Sequence, residues 1–153
     1  KKLIVWVEID RCMTDAVSAV TGVRLGKRSL KYVDYGKVAA TFLNTETKRA
    51  VRIVALESSR ALADDRYSQI ADKRTRQFRA YSEATDDELF KTELVSLELR
   101  DFDAPGSPRS RVTCTVCEEG VNDGREVIDG NGDALCRGCY HGSYYSKLDN
   151  PTA

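Results

Sequence analysis

Two Cys-x-x-Cys pairs near the end of the chain limit its fold more than any other feature. Cys114 and Cys117 form the first pair, Cys136 and Cys139 form the second, and eighteen residues lie between the pairs. This spacing suits four thiolates on one tetrahedral zinc ion, with Zn–S bonds of about 2.3 Å. Because four thiolates leave no coordination position for water, we expect a structural zinc site. The alternatives are a redox-active dithiol pair and an iron site.

We assign this zinc module to residues 109–148. A segment of this length buries too little apolar surface to fold without its metal. Residues 125–128, followed by the Gly- and Asp-rich stretch 129–133, predict a β-hairpin with a tight turn. A helix is expected over residues 140–147. A knuckle, a hairpin and a second knuckle on a helix would form a treble clef.

Composition predicts a globular chain with a core domain ahead of the zinc module. Hydrophobic residues make up 41% and charged residues 31% of the 153 residues, as in soluble globular proteins. We assign the core domain to residues 1–103, because two of the three prolines follow at once. The chain starts at Lys1, without a methionine, and enters a strand-like run directly. An N-terminal segment is therefore expected to be missing.

Charge and hydropathy exclude two general classes of partner. Lys plus Arg and Asp plus Glu both number 24, so the whole chain has no general attraction for nucleic acid or anionic membrane. The longest apolar run, residues 3–7, is far shorter than the roughly 20 residues that span a bilayer. Nothing resembles a signal peptide, so a cytoplasmic location is expected.

The pattern along the core domain predicts an α+β fold, a mixed sheet with packed helices. Residues 3–9 are nearly all apolar, as expected of an interior strand. The other predicted elements are a helix capped by Asp10 and ended by Gly22, a hairpin over 38–43 and 50–56, a long helix over 58–81, a capping box at Thr85, and a strand over 94–102.

Cys12 is a candidate ligand or nucleophile at the junction of the first strand and helix. A helix N-terminus favours the thiolate form of a nearby cysteine. The alternative is a small buried residue at a strand end. Asp15, one turn on, would accept a hydrogen bond or support the helix terminus. His141 is the only histidine; we expect it to be solvated or packed on the zinc module, which argues against a Ser-His-Asp triad.

Several separate blocks of the core domain together resemble the FmdE family. This family is named after the FmdE component of molybdenum or tungsten formylmethanofuran dehydrogenase. The two Cys-x-x-Cys pairs resemble the zinc module that many members carry at the C-terminus. The matching blocks in the core domain are residues 8–17, 21–22, 26–27 and 34–37.

The resemblance implies a second metal or redox site in the core. Members usually begin with a His-Gly-His-x-Cys-Pro-Gly segment, which lies outside the sequence from Lys1 onward, and the core is expected to be N-terminally incomplete. Only Cys12 is carried over as a ligand, with Asp15 as its neighbour. Where members often have a cysteine after Thr-Gly, this chain has Val23; where they often have Gly-Asn after Gly-Lys, it has Arg28 and Ser29.

From the resemblance we expect a metal-binding accessory protein that associates with a molybdenum or tungsten oxidoreductase and forms a homodimer. No dinucleotide fingerprint or phosphate loop is present, so the catalytic cofactor would belong to a partner. One alternative is a stand-alone thiol- or metal-dependent enzyme that uses Cys12. Another is a nucleic-acid-binding regulator that uses the zinc module, although six acidic residues there offset its arginines. Whether the chain is itself an enzyme stays open.

Overall fold

The computed structural model describes residues 2–148 of the chain. The chain divides after Glu98 into two compact units. The first unit holds a mixed sheet with helices, and the second holds the four clustered cysteines, which confirms the predicted α+β class. That residues 1–103 and 109–148 fold as separate domains stays a prediction. No helix in the described range is both long and apolar enough to cross a membrane.

The first unit is built on a five-stranded sheet with the order β2-β1-β3-β4-β5. β1 runs parallel to β2, and the other neighbours are antiparallel. The interior position of β1 and the β3–β4 hairpin were both predicted. The short strand β2 was not. The strands are β1 (Leu3–Val7), β2 (Leu30–Tyr32), β3 (Ala39–Asn44), β4 (Ala50–Ala55) and β5 (Phe90–Val95).

The first helix, α1 (Cys12–Thr21), packs on one face of this sheet. Met13 and Val17 of α1 contact a buried cluster that includes Val5 and Val7. The helix ends as predicted, at Gly22, which has φ of 70° and donates its N–H to the Ser18 carbonyl. This left-handed conformation is the reason that a glycine follows the helix.

The start of α1 differs from the prediction. Asp10 is not the cap: Arg11 is the N-cap residue, and its side chain makes no capping hydrogen bond. The Thr14 hydroxyl instead donates to the Ile9 carbonyl, which ties the first turn of the helix to the end of the first strand. Hydroxyl-to-backbone bonds of this kind compete with an Asx cap.

The predicted long helix over residues 58–81 is wrong, because the chain folds back on itself there. A 3-10 turn (Glu57–Arg60) leads into α2 (Leu62–Tyr67), and α3 (Lys73–Glu83) follows after a break. Asp72 caps α3, since its carboxylate accepts a 2.7 Å hydrogen bond from Thr75 N–H. An Asp that caps a new helix interrupts the old one without a Gly or Pro.

The two short helices stay together through small buried residues and polar contacts. Ala63 and Ala80 are both buried. The guanidinium of Arg76 lies 2.9 Å from the Asp64 carboxylate and also donates to the Ile70 carbonyl. The helical periodicity that suggested one long helix therefore belongs to two antiparallel segments.

The capping box at Thr85 is confirmed and opens α4 (Asp86–Leu89). The strand predicted over residues 94–102 is misplaced: β5 begins at Phe90 and ends at Val95. Its register with β4 fixes these bounds, from Ala55 opposite Phe90 to Ala50 opposite Val95. Pairing across the sheet has overridden the local alternation of residues.

The second unit contains two small hairpin-like sheets and one short helix. The predicted hairpin is confirmed, whereas the pair β6–β7 was not predicted. The helix expected over residues 140–147 is wrong, because it starts three residues earlier and stops before Gly142, which has φ of 99°. The elements are β6 (Arg111–Thr113), β7 (Gly120–Asn122), β8 (Val127–Ile128), β9 (Ala134–Leu135) and α5 (Arg137–His141).

Candidate metal centre

The fold of the second unit brings the four predicted cysteines together. Cys114, Cys117, Cys136 and Cys139 form the cysteine cluster, in which all four Sγ atoms lie within 4.8 Å of one another. The Cys117 and Cys136 Sγ atoms are 3.9 Å apart. A tetrahedral ion with Zn–S bonds of about 2.3 Å holds its sulfur atoms roughly 3.8 Å apart. The cluster therefore fits such an ion with a small contraction.

The first knuckle is a tight turn that follows β6. Cys114 donates its N–H to the Glu119 carbonyl at 3.0 Å and accepts from Glu118 N–H at the same distance. Glu118 has φ of 62°, the left-handed conformation that lets the chain reverse. This turn buries Cys114 completely and holds Cys117 beside it.

The second knuckle is the start of α5. Cys136 is the N-cap residue, and its Sγ accepts a 3.3 Å hydrogen bond from Cys139 N–H. One further backbone bond, from Thr115 N–H to the Ala134 carbonyl at 3.0 Å, joins the two knuckles. The thiol pairs are thus held by backbone geometry on both sides, which prepares them to converge on one ion.

The electrostatics of the cluster favour one thiolate and oppose the others. Backbone N–H groups of Cys136 and Cys117 lower the pKa of the Cys114 thiol to about 6. The Cys136 thiol and burial raise the pKa of Cys139 to about 12. Without a cation, a second or third negative charge is costly here; a divalent ion would stabilise all four thiolates together.

Two aspartates shape the loop between the knuckles. The Asp129 carboxylate accepts hydrogen bonds of 2.8 and 2.9 Å from the N–H groups of Asn131 and Asp133, which closes the β8–β9 turn. The buried Asp123 carboxylate accepts from Arg109 N–H at 2.9 Å. The sequence analysis missed Asp123, although an Asp-Gly pair such as Asp123-Gly124 is a recognised turn signal.

Cys12 lies apart from any such group. Within residues 2–148, the cysteine cluster is the only set of three or more His, Cys, Asp or Glu side chains arranged to share a metal ion. Cys12 is the first residue of α1 and is exposed, and Asp15 is exposed on the same helix. The alternative that Cys12 is a small buried residue is therefore wrong.

The positions at which the chain departs from the family pattern are mostly buried. Val23 is 1% exposed and belongs to the core cluster beneath α1. Ser29 is fully buried, and its hydroxyl accepts a hydrogen bond from Arg24 N–H. At these two positions the chain therefore has packing and a local hydrogen bond, and neither residue supplies a thiol.

His141 is exposed at the end of α5, and its ring meets the Tyr140 ring edge-on, with the ring centroids 4.8 Å apart. This agrees with the expectation that it is solvated or packs on the zinc module. Tyr32 and Tyr35 of the core domain are also exposed.

An apolar cavity of about 440 Å³ lies between α1 and the sheet. Its walls come from α1, from β3 to β5 and from the start of α4, and its open side is flanked by Val20, which is 87% exposed. Met13 and Ala16 line it, whereas Cys12 and Asp15 do not. A site that combined this cavity with the Cys12 thiol is thus not formed by the described residues.

A charged cluster that the sequence analysis missed lies on the opposite face of the sheet. Glu8 is 6% exposed and receives two hydrogen bonds from Arg52, which also approaches Glu93 at 3.4 Å. The Arg52 guanidinium holds the pKa of Glu8 below its usual range. Each of these residues is unremarkable in sequence; only the strand register makes them neighbours.

Comparison with known proteins places the first unit in a defined family. Residues 1–94 match the family model described as FmdE, molybdenum formylmethanofuran dehydrogenase operon. The fold is similar to that of a solved protein from Syntrophus aciditrophicus, which is described as an FmdE-like protein of tungsten formylmethanofuran dehydrogenase. The TM-score is 0.60 and the identity 23%, over 94% of this chain and 74% of that chain.

A curated protein from Archaeoglobus fulgidus matches a shorter part of the chain. It is described as a probable S-adenosyl-L-methionine-binding protein and is 43% identical over 47 residues. The match covers 31% of this chain and 13% of that protein, so the chain spans about an eighth of the length of this relative.

Proposed function

Because this chain belongs to the FmdE family, we propose that it is a metal-binding accessory protein of a molybdenum or tungsten oxidoreductase. The observation that carries the proposal is the convergence of four cysteine sulfur atoms within 4.8 Å in the second unit. The partner enzyme would contain the catalytic cofactor. The chain would contribute a folded surface to the assembly.

The ion that we propose for the cysteine cluster is zinc, bound as a structural ion. Four sulfur donors in tetrahedral arrangement select zinc or iron, and zinc needs no redox partner. The order of knuckle, hairpin and knuckle on a helix supports a treble clef. We also propose a cytoplasmic location, because closely spaced thiols stay reduced there and remain available to metal.

A capture experiment tests the accessory role. The full chain, tagged and expressed in its source organism, is recovered under reducing conditions, and the eluate is analysed for molybdenum and tungsten. We expect one of these metals to co-elute with additional proteins, and to be lost with those proteins when the second unit is unfolded by Cys114→Ser. An eluate that holds the folded chain but neither metal would contradict the role.

For Cys12 we propose the second metal or thiol site that the family resemblance implies. Its exposed position at the start of α1 supports access by a metal or a reagent. Any further ligands would come from outside the set of described residues or from a partner. Cobalt(II) absorption that changes on Cys12→Ala, with the thiolate bands of the cysteine cluster intact, would support a metal there. Unchanged absorption would reduce Cys12 to a free thiol.

The remaining alternative, an enzyme that uses Cys12 as a nucleophile, makes a different prediction. Rapid alkylation of Cys12 near neutral pH, compared with an exposed cysteine in a short peptide, would favour it. An alkylation rate equal to that of the peptide would favour the accessory role. The cysteine cluster must carry its metal during this measurement, so that its thiols do not react.

A further inference from the structure

The outer edge of the five-stranded sheet is open along β5. Within the described part of the chain β5 pairs with β4 alone and forms one end of the sheet. Thr92 is exposed, and Leu94 is 76% exposed. The strand contains no Pro, Gly or bulge that would protect it. Such an edge is a template for pairing with another strand.

The hydrogen bonds of β4 show which peptide groups of β5 point outward. Leu56 N–H donates to the Leu89 carbonyl at 2.8 Å, so Leu89 and alternate residues after it face β4. The peptide groups of Thr92 and Leu94 therefore point away from the sheet. Phe90 directs its carbonyl outward, while its N–H is bound to the Asp86 carbonyl at the end of α4.

We propose that β5 pairs antiparallel with β5 of a second copy of this chain, about a two-fold axis at Thr92. In this register the two Thr92 residues exchange a reciprocal pair of hydrogen bonds. Leu94 N–H of each copy donates to the Phe90 carbonyl of the other. The result is one continuous sheet through both copies, with an isologous interface.

The side chains of β5 are complementary to themselves in this register. Phe90 of one copy lies opposite Leu94 of the other, on the face that carries α1 and the apolar cavity. On the opposite face Lys91 of one copy lies opposite Glu93 of the other. Both the apolar and the charged positions thus meet suitable partners, and cross-strand pairs of these kinds stabilise sheets.

Neighbouring registers lack this match. A shift by one hydrogen-bonded step in one direction places Lys91 opposite Lys91, and a shift in the other places Glu93 opposite Glu93. Like charges directly opposite each other destabilise a strand pair. Within one copy Lys91 already lies 2.7 Å from Glu93, so both charges are positioned on the face where the partner would receive them.

The pairing also covers apolar surface that the described residues leave open. Phe90 is 39% exposed, and both Phe90 and Leu94 project beside the cavity under α1. None of these residues belongs to the second unit. The dimer is therefore independent of the metal proposed for the cysteine cluster, and either proposal can fail without the other.

The test measures the mass of the full chain in solution, at about 100 μM in reducing buffer, by light scattering after gel filtration. We expect about twice the 17.1 kDa of one chain. Thr92→Pro removes an outward N–H that the isolated chain does not use, and should give a monomer. Thr92→Val keeps that N–H and serves as the matched control, which should remain a dimer.

A charge-exchange pair tests the register itself. Lys91→Glu and Glu93→Lys each create like-charge contacts and should weaken the homodimer by about tenfold or more. Mixed together, the two variants regain both opposite-charge pairs and should form a heterodimer. This pair also decides the matter if Thr92→Pro fails to fold, which circular dichroism would reveal.

Three results would overturn the proposal. The first is a monomeric wild-type chain at this concentration, which would leave the edge to a strand of another protein. The second is a dimer that a folded Thr92→Pro chain retains. The third is a pair of charge variants that dimerise as well alone as when mixed, because the strands would then not meet in this register.

Discussion

The guanidinium of Arg52 forms two parallel hydrogen bonds, 2.7 and 2.8 Å long, with the buried carboxylate of Glu8. Arg52 lies on β4, and Glu8 follows β1, so the pair spans β3 between them. A bidentate pair of this kind is geometrically specific. It fixes how the two strands sit relative to each other on the face opposite α1.

Arg52→Met should destabilise the first unit, because it leaves the Glu8 charge buried without a partner. We expect a loss of about 3 kcal/mol in the free energy of unfolding at pH 7, measured by urea denaturation. The loss should shrink near pH 4, where Glu8 becomes protonated and its burial costs less. An equal loss at both pH values would contradict this account.

Glu46→Gln provides the control for charge removal at the surface. Glu46 lies 3.0 Å from Lys2, but both side chains are more than half exposed. Solvent screens such a pair, so the change in unfolding free energy should stay below about 1 kcal/mol. A comparable loss in both variants would mean that the Arg52 result reports charge removal in general.

The acid dependence of stability should be sensitive to Glu8. Its pKa is lowered in the folded chain by the Arg52 hydrogen bonds, so the pair stabilises the fold above the unfolded-state pKa of about 4.3. That stability is lost as the pH falls through the lower, folded-state pKa. Glu8→Gln should therefore cost about 2 kcal/mol at pH 7 and little at the acid end of the titration. Parallel stability curves for the two chains would be the contrary result.

Asp72→Ala should destabilise α3 by about 1 kcal/mol, because Thr75 N–H loses its hydrogen-bond acceptor. Thermal unfolding of the full chain would detect the change in the first unit. Asp65→Ala, in the first turn of α2, is the matched control, and we expect only a few tenths of a kcal/mol there. Equal effects would show that Asp72 acts through charge and not as a cap.

The sequence predicted those elements whose signals are local. The apolar run of β1, Gly22 after α1 and the capping box at Thr85 each depend on neighbouring residues, and each was found. The cysteine cluster was also predictable, since ligand spacing is a local property of the chain. Tetrahedral geometry then requires the two knuckles to meet.

The missed features depend on contacts between distant segments. The three residues of β2 have no strand pattern of their own and are fixed by pairing with β1. The break between α2 and α3 required knowing that Asp72 would cap a new helix and that Ala63 and Ala80 would be buried. Long-range pairing and packing of this kind leave no periodic signal in one segment.

Cys114→Ser should unfold the second unit while the first unit keeps its structure. One ligand lost from a structural zinc site removes binding energy that is also folding energy. Amide resonances of residues from 99 onward should collapse toward random-coil positions, and those of β1 and β3 should stay. Cys12→Ser is the control, because Cys12 lies outside the cluster. Retention of a folded second unit in Cys114→Ser would contradict a structural role for the metal.

The central claim is that the cysteine cluster binds one structural zinc ion. Elemental analysis of the purified full chain, with zinc, iron and cobalt counted against protein concentration, tests it most directly. We predict about one zinc per chain in the wild type and in Cys12→Ser, and almost none in a Cys114→Ser, Cys139→Ser double variant. Zinc retained by that double variant, or iron in place of zinc in the wild type, would contradict the account.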